Sequence, residues 1–282
     1  MSYREYDRTC EDGTNQFICE WVPVDLERPL GMIGLVHGMG EHMGRYGHVG
    51  EMFAQTGYVV FGFDQRGHGR TEGKRGHTPS YEALLEGIDW MLTQMRSRYP
   101  GVPVFLYGHS MGGNLTLNYV LRKQPELAGA IVSGPWLKLA FAPPSLSLIV
   151  GRLVENVFPS YMNDRPISTD RLTSDPDMAA MIRGDRLGHG QITAKYFFSI
   201  HRSGLWALNH ASELRIPLLL MHGGDDSVTS IEASRKFADH AGPRCMFVEW
   251  PGFKHELHNE KDREAVFAFI RRWLEERTST AI

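Results

Sequence analysis

The segment Val104–Gly113 constrains the fold most, because an apolar strand in it runs directly into G-x-S-x-G and then into a helix-forming stretch. Gly108 and Gly112 flank Ser110 and remove the side chains that would collide where the backbone doubles back. The serine hydroxyl then projects above the sheet, near the N-terminus of a helix predicted to begin at Ser110. The motif alone is weak evidence, but the strand before it and the helix after it are the context that a nucleophile elbow requires.

Short apolar runs alternate with amphipathic segments along the chain, which predicts a parallel sheet flanked by helices. The predicted buried strands cover residues 32–36, 58–63, 104–107, 130–133, 218–221 and 246–249. The predicted helices cover residues 46–56, 81–98, 110–123, 231–240 and 262–276, and Ser80 is placed to cap the second of them. These elements predict one large α/β domain.

The alternation breaks between Pro135 and about Ser212, where prolines punctuate several short segments. We therefore predict a catalytic domain made of residues 1–135 and 213–282, with a cap inserted over residues 136–212. Apolar residues between Leu146 and Phe158 surround much of a short predicted helix, more than one buried face requires. This helix packs on the catalytic domain or belongs to a lipid-facing cap that contacts a membrane surface transiently, and the sequence leaves both interpretations open.

Charge and composition exclude some classes of protein. The formal net charge is −3, and lysine and arginine are scattered along the chain, which gives no electrostatic reason to bind nucleic acid. The polar start and the absence of a long apolar run predict a cytoplasmic protein, peripheral at a membrane if the cap docks there.

Cys10 and Cys19 could face each other in an N-terminal hairpin, but reduced structural thiols are expected, Cys245 included. The oligomeric state stays open.

A serine hydroxyl needs a base to remove its proton and a carboxylate to orient that base. Asp226 and His255 each follow a predicted strand, and the order Ser110, Asp226, His255 is typical of one hydrolase class. Asp225 is adjacent to Asp226 and is expected to face solvent. Asp64 precedes the serine in the chain and is expected to be a structural acid.

The oxyanion of the reaction needs two backbone amides, one directly after the nucleophile and one from an earlier loop. Met111 supplies the first, and Met39, in the glycine-containing loop after strand 32–36, supplies the second. His258 follows His255 by three residues and is expected to face elsewhere. The spacing from His255 to His258 does not match H-E-x-x-H, and no phosphate-binding or dinucleotide-binding motif occurs, so we expect neither a catalytic metal nor a cofactor.

Several motifs together carry a family resemblance. They are His37–His42 with Arg45-Tyr46, Asp64–Gly73, Gly108–Gly113, His222–Asp226 and His255-Glu256. With them the chain resembles the monoacylglycerol lipase and lysophospholipase-like branch of the α/β-hydrolases over most of its length. The resemblance implies an α/β-hydrolase fold, with a mostly parallel central sheet and a helical cap inserted after the sixth strand.

The resemblance implies the same triad and the same oxyanion donors as the residues themselves. It further implies that Glu41, Arg45 and His109 recognise a glycerol head group, although Glu41 and Arg45 could brace their loop and His109 could pack the elbow. The cap departs from the family, since the nearest match to its D-P-L stretch begins at Asp185 and is preceded by Ile182 instead of a tyrosine. Selectivity for the head group therefore stays open.

We expect a serine ester hydrolase that needs no cofactor and releases fatty acid and glycerol from monoacylglycerols through an acyl-enzyme. A lysophospholipase or a broad-specificity carboxylesterase would use the same residues and is the first alternative. A noncatalytic binding protein built on this fold is the second, because folds of this kind are reused for binding. The presence of every triad candidate favours an enzyme.

Overall fold

The computed structural model describes residues 1–24, 28–141, 155, 157–164 and 166–278. The strands described there are β1 (Ser2–Thr9), β2 (Asn15–Val22), β3 (Gly31–Val36), β4 (Tyr58–Phe63), β5 (Val104–His109), β6 (Gly129–Ser133), β7 (Met162–Asp164), β8 (Gln191–Thr193), β9 (Leu218–Gly223) and β10 (Cys245–Trp250). The helices are α1 (Gly47–Gln55), α2 (Glu82–Arg98), α3 (Met111–Lys123), α4 (Pro176–Gly184), α5 (Ala194–Asn209), α6 (Ile231–Ala241) and α7 (Arg263–Thr278). The predicted strands and helices agree with these bounds to within two residues.

The central sheet has the spatial order β1-β2-β4-β3-β5-β6-β9-β10. β1 pairs antiparallel with β2 and β2 with β4, and the other neighbours are parallel. In β3 to β6 every residue is buried, which explains why these strands are continuous apolar runs in the sequence. Leu106 and Tyr107 of β5 point into two different apolar clusters, one on each face of the sheet. The predicted α/β-hydrolase fold is confirmed.

The parallel arrangement brings the carboxyl ends of β3, β5, β9 and β10 to one edge of the sheet. The loops that follow these strands carry the residues predicted to be functional. Ser80 Oγ accepts a hydrogen bond of 3.1 Å from the Ala83 amide, as predicted for a residue that caps α2. The sheet and its helices thus form the support of a site at this edge.

Between β6 and β9 the chain forms β7, β8, α4 and α5. The expectation of short segments is wrong for α5, which runs for 16 residues. Two buried asparagines of α3 hold α5 in place, since Asn114 Nδ2 donates to the Ile200 carbonyl oxygen at 3.1 Å and Asn118 Nδ2 to that of Ser203 at 3.0 Å. The inserted segment is therefore bound directly to the helix that begins after Ser110.

The apolar helix predicted within residues 146–158 falls mainly on residues 146–154 and 156, which lie outside the described residues. The choice between a packed helix and a lipid-facing helix therefore stays a prediction. Within the described ranges, no helix combines the length and the hydropathy that crossing a bilayer requires.

Cys10 and Cys19 do not face each other. Cys19 pairs with Glu5 across β1 and β2, whereas Cys10 lies at the turn between these strands, where its amide donates to the Thr14 carbonyl oxygen at 2.8 Å. The register of the hairpin separates the two thiols. They and Cys245 are free cysteines, as expected for reduced structural thiols.

Candidate active site

Ser110 occupies a backbone conformation that few residues other than glycine adopt, with φ 54° and ψ −114°. Three hydrogen bonds fix this turn, from the Ser110 amide to the Ser133 carbonyl oxygen and from the Asn114 and Trp136 amides to the Ser110 carbonyl oxygen. A side chain at Gly108 would collide with the start of α3, and one at Gly112 with the end of β3. The glycines are therefore required where the sequence predicted a nucleophile elbow.

The predicted triad residues form one chain of hydrogen bonds. Ser110 Oγ lies 2.9 Å from His255 Nε2, and His255 Nδ1 lies 2.7 Å from Asp226 Oδ2. The three residues are 3–9% exposed. With its Nδ1 hydrogen donated to Asp226, the imidazole accepts the serine proton at Nε2, as a general base must. Three separate loops supply these side chains, and the parallel strands bring them together.

Asp226 is held by more groups than His255 alone. Its Oδ1 accepts hydrogen bonds from the amides of Val228 at 2.7 Å and Thr229 at 3.0 Å, and its Oδ2 accepts one from Thr229 Oγ1 at 2.8 Å. His222 Nε2 lies 3.1 Å from the same Oδ2. Burial alone raises the pKa of Asp226, but the charge of His255 and hydrogen bonding by His222 and His255 outweigh it and hold the pKa well below its usual range.

The interaction with Asp226 shifts the pKa of His255 in the opposite direction. Burial lowers its pKa, but the neighbouring Asp226 carboxylate stabilises the imidazolium more strongly and raises the pKa above its ordinary value. Sequence reasoning missed Thr229 and His222 as neighbours of the acid. The available signal was local, since both lie within four residues of Asp226, His222 near the end of β9 and Thr229 in the loop that follows.

The other acids behave as predicted. Asp225 is exposed, and its side chain faces away from the buried triad. Asp64 accepts hydrogen bonds from the amides of Met43 at 2.7 Å and Arg70 at 2.8 Å, which ties two loops together. Asp64 is thus a structural acid in this fold.

Met39 and Met111 lie on the two chain segments that meet at the elbow. Met111 is the first residue of α3, so its amide precedes the repeating helical hydrogen bonds. A β-carbon at Gly38 would lie 3.1 Å from Ser110 Cβ, which shows how closely the loop that carries Met39 approaches the serine. His37 stiffens this loop, because its Nε2 accepts a hydrogen bond of 2.9 Å from the Gln65 amide. The two predicted amide donors therefore lie beside Ser110, Met111 at the start of α3 and Met39 in the loop after β3.

Glu41, His109 and Glu256 form a cluster of buried polar side chains beside the triad, called the pocket below. Glu41 Oε1 lies 3.8 Å from His109 Nε2, and ligand atoms of Glu41, His109 and Glu256 all lie within 4.8 Å of one another. A β-carbon at Gly38 would collide with Glu41 Oε1 while touching Ser110, so this carboxylate borders the nucleophile. Burial and the nearby Glu256 raise the pKa of Glu41 to about 7 against the opposing charge of Arg45.

The third predicted head-group residue, Arg45, contacts the inserted segment. Its Nε donates to Asp185 Oδ2 at 2.6 Å, and His42 Nε2 lies 3.0 Å from the same oxygen. The His189 amide also donates to the Gly40 carbonyl oxygen at 3.0 Å. Burial raises the pKa of Asp185, but Arg45 overcomes this effect and lowers the pKa to about 2. Asp185 thus joins the loop beside Met39 to the inserted segment.

His258 does not face away from the site, and that expectation is wrong. Residues Leu257–Asn259 form a single 3₁₀ turn, which returns the His258 ring toward the site. The ring packs edge-on against His109 with centroids 4.9 Å apart and stacks on Tyr46 at 4.8 Å. Sequence reasoning missed this position because it assumed a regular segment after His255.

Comparisons with known proteins agree with this geometry. The Hydrolase_4 family, described as serine aminopeptidase, S33, matches residues 27–262. An uncharacterized abhydrolase domain-containing protein of Dictyostelium discoideum is 34% identical over 93% of this chain, which spans only 28% of that protein. The phospholipase YtpA of Bacillus subtilis is 30% identical, with 87% of this chain and 95% of that protein covered.

A solved structure has the same fold. The crystal structure of Paleococcus ferrophilus monoacylglycerol lipase matches with a TM-score of 0.85 and 28% identity, over 93% of this chain and 99% of that one. The matches extend over both the sheet and the inserted segment. The chain therefore belongs to the Hydrolase_4 family and is a serine ester hydrolase of the α/β-hydrolase fold.

Proposed function

We propose that this protein hydrolyses monoacylglycerols to fatty acid and glycerol, with Ser110 as nucleophile, His255 as base and Asp226 as orienting acid. Residues 1–135 and 213–282 form the catalytic domain in this proposal, and residues 136–212 form the cap. The observation that carries it is the continuous hydrogen-bonded triad, which lies beside the buried polar side chains of Glu41, His109 and Glu256. The monoacylglycerol lipase with a matching structure supports the substrate class.

Acylation begins when Ser110 Oγ attacks the ester carbonyl carbon and its proton passes to His255 Nε2. The amides of Met39 and Met111 stabilise the negative charge that develops on the carbonyl oxygen. The C–O bond of the ester then breaks, and His255 returns the proton to the departing glycerol oxygen. In deacylation His255 takes a proton from water, and the resulting hydroxyl attacks the acyl carbon. The bond between this carbon and Ser110 Oγ then breaks, which releases the fatty acid, and His255 returns the proton to Ser110 Oγ.

The pocket beside Ser110 favours an uncharged polyol over a phosphate. Two buried carboxylates, those of Glu41 and Glu256, line it, and the neighbouring cation Arg45 is already hydrogen-bonded to Asp185. Glycerol hydroxyls are hydrogen-bond donors, so they suit Glu41 and His109, whereas a phosphate would be repelled by the carboxylates. We therefore propose that Glu41, Arg45 and His109 form the head-group site. The likeness to a phospholipase keeps lysophospholipids as the alternative substrate.

The substrate class is tested by fatty-acid release from monolauroylglycerol, lysophosphatidylcholine and trilauroylglycerol. Wild type should prefer the monoacylglycerol, and Ser110→Ala should lower its turnover by about 10⁵–10⁶. A preference for lysophosphatidylcholine would keep the triad but move the protein to the alternative. Absence of turnover of every ester would instead favour a noncatalytic binding protein. Labelling of Ser110 by a fluorophosphonate gives an independent check of its nucleophilicity.

The cap also offers a surface for the lipid phase that holds such substrates. Phe141, Val157, Phe158 and Tyr161 are between 50% and 66% exposed. Three of them lie within residues 157–161, and exposed aromatic and aliphatic side chains grouped in this way are typical of surfaces that bind a membrane interface. We include in the proposal that this surface contacts a membrane transiently.

Liposome flotation tests the membrane contact. Wild type should float with phosphatidylcholine vesicles, and the pair Phe158→Ser with Tyr161→Ser should float less. Met246→Ser is the matched control, because Met246 is 43% exposed but lies on β10, away from the cap. Equal flotation of all three proteins, or of none, would contradict a docking role for this surface.

A further inference from the structure

Two buried polar atoms beside Ser110, His109 Nε2 and Glu41 Oε1, lie 3.8 Å apart, which is too far for a direct hydrogen bond. His109 Nδ1 lies 3.0 Å from Ser133 Oγ, and in the tautomer that donates from Nδ1 the lone pair of Nε2 faces Glu41 Oε1 at 3.8 Å. An imidazole lone pair and a carboxylate repel each other unless a positive or hydrogen-donating group lies between them. In that tautomer the arrangement favours a third group, a cation or a hydrogen-bond donor, between the two side chains.

The same two side chains carry polar atoms that the protein leaves unsatisfied. His109 Nε2 and Glu41 Oε2 are buried and have no hydrogen-bond partner among the residues that the structure describes. The exposed fractions of the two residues are 0% and 4%. Buried polar groups without partners are rare because burial removes their hydrogen bonds to water. A bound ligand in the pocket would satisfy both atoms at once.

Glu256 completes a set of donors suited to a metal. One imidazole nitrogen and two carboxylate oxygens, from His109, Glu41 and Glu256, lie within 4.8 Å of one another. Glu256 Oε2 accepts a hydrogen bond of 2.7 Å from Asn259 Nδ2, and His109 is held by Ser133, so two ligands have the outer partners that orient metal-binding side chains. Neutral imidazole with carboxylates binds Zn²⁺ and related divalent ions.

The charges nearby are compatible with a dication. Two carboxylates balance its charge, and the guanidinium of Arg45 is engaged by Asp185 through the 2.6 Å hydrogen bond. Glu41 also borders Ser110, as the β-carbon test at Gly38 shows. An ion held at this point would occupy the space next to the nucleophile where the leaving group of an ester must sit.

We propose that Glu41, His109 and Glu256 bind one divalent transition-metal ion of the zinc class, and that the bound ion inhibits ester hydrolysis by filling the pocket beside Ser110. Binding of the ion requires no turnover and does not depend on the natural substrate. It goes beyond the proposed function, because a hydrolase with any head-group preference would be inhibited in this way.

Binding is measured by titrating the Ser110→Ala protein with Zn²⁺ in a calorimeter. One ion should bind per chain, and adding Glu256→Gln or Glu41→Gln should weaken the affinity at least tenfold. Cys245→Ser is the control, because Cys245 is a free and partly exposed thiol at the start of β10, the end of that strand opposite to the loop that carries Glu256, and its loss should leave the affinity unchanged. Unchanged affinity in both glutamine variants, or no binding at all, would overturn the site.

Spectroscopic measurements distinguish the loss of a metal ligand from the misfolding of a variant. Co²⁺ bound by one imidazole and two carboxylates in a dry pocket should give visible absorption well above that of aqueous Co²⁺, and Zn²⁺ should displace it. The far-ultraviolet circular dichroism of each variant should match that of the parent protein. A Co²⁺ spectrum equal to that of the free ion would overturn the assignment of these ligands.

Inhibition is measured on wild type with p-nitrophenyl butyrate, a general ester substrate. Zn²⁺ should lower the rate, and Glu256→Gln should raise the half-inhibiting concentration at least tenfold. Equal inhibition of both proteins would overturn the site, since the ion would then act elsewhere, for example on His255. Binding without inhibition would overturn the inhibitory role. These outcomes can be interpreted even if the protein does not hydrolyse monoacylglycerols, because the binding and inhibition measurements use no monoacylglycerol.

Discussion

The triad and the pocket beside it are neighbours, but they treat buried polar groups in opposite ways. Both oxygens of Asp226 accept hydrogen bonds from within the protein, and His255 and Ser110 continue the chain. In the pocket, Glu41 Oε2 and His109 Nε2 find no partner within the described part of the chain. The reacting groups are thus arranged before the substrate arrives, whereas the binding groups are left for a ligand to complete.

Among the predictions that follow, the largest effect should come from a substitution in the triad, whose groups are arranged before the substrate binds. Asp226→Asn keeps the shape of the side chain but removes the charge that stabilises the imidazolium and favours the wrong tautomer of His255. We expect kcat to fall about 10⁴-fold, as for a triad of this type. Steady-state hydrolysis of p-nitrophenyl butyrate measures it. Asp225→Asn is the control and should retain wild-type rates, because Asp225 is exposed; equal losses in the two variants would contradict the assignment of the acid.

A smaller loss is expected from the hydrogen bonds behind the acid. Thr229→Val removes the donor that lies 2.8 Å from Asp226 Oδ2 while keeping the volume of the side chain. A hydrogen bond to a charged group contributes about 1.5–3 kcal/mol, so we expect kcat to fall about tenfold or more with little change in KM. Thr229→Ser should restore most of the rate. A change in KM alone would show that Thr229 acts on binding and not through Asp226.

The sequence predicts the strands and the triad, but it does not predict the contacts that surround the pocket. Apolar runs predict β3 to β6 because both faces of these strands are buried, and the chain order of Ser110, Asp226 and His255 predicts the triad because each follows a parallel strand. The contact of Asp185 with Arg45 joins residues 140 positions apart, and no local pattern encodes it. His258 enters the site through an irregular turn, whose direction periodicity does not predict.

Separate measurements of KM and kcat test whether the pocket residues act in binding. Glu41→Gln should raise KM for monolauroylglycerol about tenfold, because the glycerol hydroxyls lose a charged acceptor worth about 1–2 kcal/mol. The KM for p-nitrophenyl butyrate, whose leaving group carries no polyol, should change little. Parallel steady-state measurements on the two substrates check this split. An equal loss of kcat with both substrates would show that Glu41 acts in catalysis, as the triad residues do. It would contradict a role of Glu41 in binding the head group.

The smallest effect concerns the ion pair between Arg45 and Asp185, which joins the loop after β3 to the inserted segment. Asp185 has a pKa of about 2 in the folded protein against an ordinary value of 3.8, so its stabilising contribution is present above pH 4 and is lost as the pH falls toward 2. Asp185→Asn should therefore lower the free energy of unfolding by about 1–2 kcal/mol at pH 7. Urea denaturation of wild type and variant at intervals from pH 7 to pH 3 measures the difference. It should shrink below pH 4, because wild-type Asp185 is then progressively protonated, and a difference that stays constant with pH would mean that the ion pair with Arg45 does not stabilise the fold.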